Sequence, residues 1–128
     1  MYSEEKVEEI IQTAIAAKLS GVDLLFDRVR VRRVCNGIGA AWMPDWMREL
    51  INSLIPELVP VSFIHDIRFE IGGPWWKRWT ADFEFFCNGL RMAFYTRKRR
   101  VAKWALRLWI CLMVGGWTAF KYKKEGDK

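Results

Sequence analysis

Apolar residues recur three and four apart along most of this chain, and prolines and paired glycines fix where each such run must stop. Both features restrict the fold to short packed helices. Ser3 is placed to cap a helix, with Glu4 and Glu5 at the positive end of its dipole. Val7, Ile10, Ile11, Ala14, Ile15 and Leu19 follow at helical spacing, so a helix to about residue 18 is expected, with Gly21 after it. From residue 26 to 34 the pattern changes to alternation, Val29 and Val31 lying between Arg28, Arg30 and Arg32, which predicts a short half-buried strand. Asn36-Gly37-Ile38-Gly39 is then a loop, since paired glycines give backbone freedom and nothing to pack.

Pro44 and Asp45 open a helix carrying Trp46, Met47, Leu50, Ile51 and Leu54, ended by Pro56 and Pro60. Pro60 begins another that Gly72-Gly73-Pro74 stops, giving 60–71, with His65 and Asp66 in its middle. Further helices are expected over 77–95 and 99–120, followed by a charged tail over 121–128. The whole reads as mainly α, one domain of 128 residues, large enough to bury a core without metal or disulfides.

Three cysteines without a CxxC pair, Cys35, Cys87 and Cys111, make neither a disulfide framework nor a zinc set with His65. A reducing compartment is the simpler expectation. The acidic N-terminus lacks the apolar segment of an ordinary secretory signal, which points to the cytoplasm or, for a virus-encoded chain, the particle. The net charge of +6 is uneven. Four Glu stand against one Lys in the first ten residues, whereas seven Lys or Arg and no acid lie between Arg91 and Arg107. The basic end expects an anionic partner, a phospholipid surface or a nucleic acid. The uncharged run over 108–120 has 13 residues, too short for a spanning helix, which needs about 20. It suits a core helix, or an interfacial one with Trp104, Trp109 and Trp117 at headgroup level.

The only histidine, His65, precedes an aspartate within an apolar helix, and Asp82 stands in another apolar stretch, Trp79-Thr80-Ala81-Asp82-Phe83. Both carboxylates need a partner if they face inward. The glycine loop offers carbonyl oxygens to a hard cation. Asp66 with those carbonyls suits Ca²⁺. Neutral His65 suits a general base, Asp82 its orienting acceptor, and the Gly37 N–H a donor to an oxyanion. Trp75, Trp76 and Trp79 cluster around Lys77 and Arg78. Adjacent tryptophans cannot both enter one core from a regular helix, so at least one is expected outside, in contact with an anionic bilayer or a protein partner.

The ordered set Cys35-Asn36-Gly37-Ile38-Gly39, then Phe63-Ile64-His65-Asp66, then Ala81-Asp82-Phe83-Glu84-Phe85-Phe86 resembles phospholipase A2, particularly its short bacterial and phage-encoded members. The resemblance spans about residues 35–120. It implies an antiparallel helix pair bearing the two motifs, flanked here by extra N- and C-terminal helices, with segments 1–34, 35–96 (the catalytic core), 97–120 and 121–128. It further implies calcium-dependent hydrolysis of the sn-2 ester of glycerophospholipids, with the backbone carbonyls of Cys35, Gly37 and Gly39 and the Asp66 side chain as calcium ligands, His65 as base and Asp82 as its partner. The chain departs from secreted members at Val61, Ser62, Arg68 and Phe69. Phe69 stands where they carry an aromatic hydroxyl that helps hold the second aspartate, so Asp82 is expected to have one partner fewer. Two other classes remain open on these residues: an inactive scaffold of the same kind with a structural or membrane-docking role, and a nucleic-acid binder using Arg97-Lys98-Arg99-Arg100, Lys103 and Arg107 with Phe94 and Tyr95 as stacking rings. No specific nucleic-acid motif supports the last.

Overall fold

The computed structural model describes residues 2–35 and 44–115, and among them the chain is mainly helical, with six α-helices and no strand. The glycine turn at 36–39, and the part of the final expected helix beyond 115, lie outside the described residues.

Helix α1 (Glu4–Ala16) begins where Ser3 Oγ accepts from the Lys6 N–H, 3.1 Å away, and it buries Val7, Ile10, Ile11 and Ala14. It stops slightly earlier than the apolar spacing suggests. Lys18 takes a left-handed conformation (φ 57°), and the Leu19 N–H returns to the Ala14 carbonyl. Gly21 turns the chain with φ 84°. A side chain there would meet Ile64 Cγ2 at 2.9 Å, so both backbone and space require glycine.

The strand expected over 26–34 is a helix instead. A 3₁₀ turn (Val22–Phe26) leads into α2 (Arg28–Val34), which Asp27 caps by accepting from the Arg30 N–H. The alternation was misleading because only Val31 is buried, while Val29 is 79% exposed. Arg28 and Arg32, one helical turn apart, reach Glu8 and Glu4, one turn apart on α1, at 2.6 and 2.7 Å. A strand could not match that spacing.

Helix α3 (Asp45–Leu54) leaves Trp46, Leu50 and Leu54 exposed. Another 3₁₀ turn (Pro56–Leu58) joins it to α4 (Val59–Ile71), with Pro60 in the first turn and Gly72 (φ 66°) ending it. Val61, Phe63, Ile64 and Ile67 of α4 are almost wholly buried and form the centre of the core with α1. Each such side chain is worth about 1.5–3 kcal/mol relative to leaving it in water.

Helix α5 (Trp75–Thr96) runs antiparallel to α4: Leu58 lies by Gly89, His65 by Asp82, and Phe69 by Ala81. Helix α6 (Arg99–Gly115) folds back along α5, with Ala105 opposite Gly89, Trp109 against Phe83 and Phe86, and Leu112 by Arg78. Glu57 joins this hairpin to the start of α4 through Lys98 at 2.9 Å and through Arg100. Among the described residues no single helix is long and apolar enough to cross a membrane.

Candidate functional site

Crossing α4 and α5 antiparallel brings together two polar side chains that are 17 residues apart in sequence. His65 Nε2 lies 2.8 Å from Asp82 Oδ1, and the two residues are only 6% and 1% exposed. A carboxylate only accepts, so with Asp82 ionised the hydrogen sits on Nε2 and the Nδ1 lone pair is left for chemistry. The imidazole is held between rings, Phe69 at 4.1 Å and Phe85 edge-on at 5.4 Å. These contacts fix its orientation and keep bulk water from the Asp82 side.

The second Asp82 oxygen faces a residue that the sequence assigned elsewhere. Arg78, expected with the tryptophans at a membrane, is turned inward and only 8% exposed. Its Nη2 donates to the carbonyls of Leu112 and Met113 at 2.9 and 2.6 Å, and its Nε stands 3.8 Å from Asp82 Oδ2. That separation is within ion-pair range but beyond a hydrogen bond. Neither Nε nor Oδ2 has a hydrogen-bond partner among the described residues. The physical reason is helix phase: positions 78, 82 and 85 share the face that α5 turns toward the core, whereas 75, 76 and 79 do not. A reading by phase rather than by neighbouring residue type finds Arg78. Asp82, expected to have one partner fewer because Phe69 has no hydroxyl, has a guanidinium beside it instead.

Asp66 follows His65 on α4, and successive side chains of a helix diverge by about 100°. Burial pushes the Cys35 thiol well above its ordinary range, and the nearby Asp66 carboxylate adds to the effect. Burial raises Tyr2 likewise, followed by the charges of Asp66 and Cys35. The three groups thus share one locality, where Cys35 Sγ donates to the Phe63 carbonyl at 3.4 Å. The last described residue before the glycine turn is therefore anchored on α4 close to Asp66. Gly37 and Gly39 themselves fall outside the described residues. No group of three His, Cys, Asp or Glu side chains among the described residues is arranged to hold a metal. The ligand set that the resemblance implies, the Asp66 carboxylate with backbone carbonyls, is all oxygen and of the kind that suits Ca²⁺. A cleft of about 980 Å³ opens beside this locality, with Tyr2, Cys35, Val59 and Met92 in its wall.

Trp75, Trp76 and Trp79 are 67%, 42% and 45% exposed, so all three face outward. Phe83, also on α5, is exposed as well, and so are Leu106, Ile110 and Val114 on α6, whose Trp109 ring stacks on Phe86 at 4.7 Å and meets Phe83 edge-on at 6.1 Å. Lys77 lies over Trp76 and Arg107 over Trp104. The two acids of the α5–α6 hairpin are withdrawn, Asp82 by burial and Glu84 by its pair of hydrogen bonds from Arg68 at 3.0 and 3.1 Å. Sequence reasoning also passed over Asn88. It is fully buried, accepts from the Ser20 N–H and donates to the Ser20 carbonyl, and so ties α5 to the end of α1.

Comparison of the chain with protein-family models, curated proteins and solved structures gives no match.

Proposed function

We propose that this chain is a phospholipase A2-like, calcium-dependent hydrolase that cleaves the sn-2 ester of glycerophospholipids at a membrane surface. The observation that carries the reading is the buried 2.8 Å contact between His65 and Asp82, made across an antiparallel helix pair in the motif order of that family. Support also comes from Cys35, which enters the glycine turn while packed on α4 near Asp66.

In this mechanism the Nδ1 of His65 takes a proton from a water molecule as the water oxygen attacks the ester carbonyl carbon. Asp82 keeps the imidazole in the Nε2–H tautomer and stabilises the imidazolium that forms. His65 then returns the proton to the departing glycerol oxygen, leaving free fatty acid and lysophospholipid. The carbonyls of Cys35, Gly37 and Gly39 and the Asp66 carboxylate would hold Ca²⁺, and the Gly37 N–H would donate to the oxyanion. When bound, Ca²⁺ supplies polarisation of the ester carbonyl.

The exposed Trp75, Trp76, Trp79 and Phe83, with Ile110 and Val114, give an adsorption surface. Lys77 and Arg107 stand over two of the tryptophans, and the acids are withdrawn, which suits anionic lipid. Nucleic-acid binding is less well supported, because Lys98 and Arg100 of the basic run are bound to Glu57.

The test is fatty-acid release from anionic phospholipid vesicles, with Ca²⁺ and with chelator. Chelation is expected to stop release, and His65→Gln and Asp66→Asn each to lower it by about 10²–10⁴-fold. Release indifferent to chelator and to both substitutions refutes the proposal.

A further inference from the structure

We infer that Arg78 is a positioning residue for the His65–Asp82 pair, tying Asp82 to the backbone of α6. The inference rests on the hydrolase reading for its kinetic consequence but on the geometry alone for its structural one. A guanidinium held at 8% exposure is costly unless its donors and its charge are matched. Two carbonyls of α6, those of Leu112 and Met113, accept from Nη2 at 2.9 and 2.6 Å. Of the remaining nitrogens, Nε stands 3.8 Å from Oδ2 of a carboxylate that is itself 99% buried, and the guanidinium also lies over the Trp79 ring at 5.6 Å. Both atoms are buried without a hydrogen-bond partner among the described residues, and they stand 3.8 Å apart. Each is the natural complement of the other.

The planar guanidinium does here what a compact ammonium could not. One edge is fixed to Leu112 and Met113 on α6, while the Nε–H is presented to Asp82 one turn further along α5. Oδ1 is then left for His65. Without the cation, Asp82 would be a buried anion with a single neutral neighbour. With that carboxylate turned away, nothing would hold the ring hydrogen on Nε2, and the Nδ1–H tautomer becomes accessible. That tautomer cannot accept a proton from water at Nδ1. Arg78 thus acts through Asp82 and touches no reacting atom.

His65 is the single histidine, so its two ring nitrogens can be followed by ¹⁵N NMR in the full-length protein without assignment ambiguity. Samples of the wild type, Arg78→Lys and Arg78→Met would be measured with chelator present, beside kcat, KM and binding on anionic vesicles with Ca²⁺. The expected result is a predominantly Nε2–H wild type, an increased Nδ1–H fraction in both variants, and kcat lower by about tenfold in Arg78→Lys and further in Arg78→Met, with vesicle binding unchanged. Circular dichroism checks folding, and if Arg78→Met does not fold, Arg78→Lys decides. Variants that lose melting temperature but keep the wild-type tautomer overturn the inference. If the wild type releases no fatty acid but the tautomer shifts, the hydrolase reading fails and the positioning role stands.

Discussion

Gly89→Ala tests the α5–α6 contact that sets the whole hairpin. A methyl group built on Gly89 comes inside 3.0 Å of Ala105 Cβ, with the Ala105 Cα at 3.6 Å and Leu58 Cδ2 at 3.7 Å on the other side. Two methyl carbons settle at about 3.5–4.0 Å, so α5 and α6 must part by about 1 Å. Nothing flexible can yield, because the obstructing atom is itself a Cβ on a helix. Overpacking of this kind costs about 1–3 kcal/mol, and the hairpin interface is extensive enough to put the cost near the top of that range. Against it stands a gain of about 1 kcal/mol from replacing glycine by alanine inside a helix. The net expectation is a loss of about 1–2 kcal/mol, or a melting temperature lower by about 4–8 °C. Urea unfolding followed by circular dichroism measures it. Adding Ala105→Gly to the variant returns the space, so the double-mutant cycle should show favourable coupling of about 2–3 kcal/mol, the clash without the helix-propensity terms. A Gly89→Ala protein as stable as the wild type, with no coupling to position 105, refutes the close approach of the two helices.

The cysteines should react with a thiol reagent in the order of their exposure: Cys111 fast, Cys87 more slowly, and Cys35 only on unfolding, because burial and Asp66 hold its thiol protonated. A fast-reacting Cys35 in the native protein contradicts its packing on α4. Burial tends to raise the Glu57 carboxyl, but the Lys98 hydrogen bond, its own backbone and the Arg100 and Lys98 charges outweigh this and hold it below the ordinary glutamate value. Its stabilising effect is therefore present above that ordinary value and lost as pH falls through the lower folded one. Glu57→Gln should be less stable than wild type at pH 7, with the difference closing below about pH 4, and a constant difference down to pH 3 argues against the ion pairs. Replacing Trp75, Trp76 and Trp79 together by Ala should leave the helix content intact and weaken sedimentation with anionic vesicles by about tenfold or more. Unchanged sedimentation removes these rings from the adsorption surface.

Much of the helical frame was legible because its signals are local. Ser3 caps, Pro60 in a first turn and Gly72 at an end do their work within four residues. Pairing of His65 with Asp82 was legible for a different reason: two polar groups in apolar stretches are each costly alone, and the cost is relieved when they meet. The α2 segment misled because three arginines between valines read equally as a strand edge and as a helix zipped to α1. The deciding partner, the Glu4 and Glu8 pair, lies more than 15 residues away. Arg78 was assigned by its neighbours Lys77 and Trp79, yet its place is set by the phase of α5 and by carbonyls on α6. The phase is local and turns Arg78 inward, whereas the contacts with the α6 carbonyls exist only once the hairpin has closed.

The zipper between α1 and α2 has an effect well beyond those two helices. By matching Glu4 and Glu8 to Arg32 and Arg28, it cancels much of the acidity of the N-terminal third internally, while Arg99, Lys103 and Arg107 on α6 meet no acid in a salt bridge among the described residues. The molecule is consequently lopsided in voltage. Drifting toward any negatively charged sheet, it feels a torque that turns the tryptophan-bearing hairpin forward before contact. That steering fades once dissolved ions shrink the reach of the field to about 3 Å in molar salt.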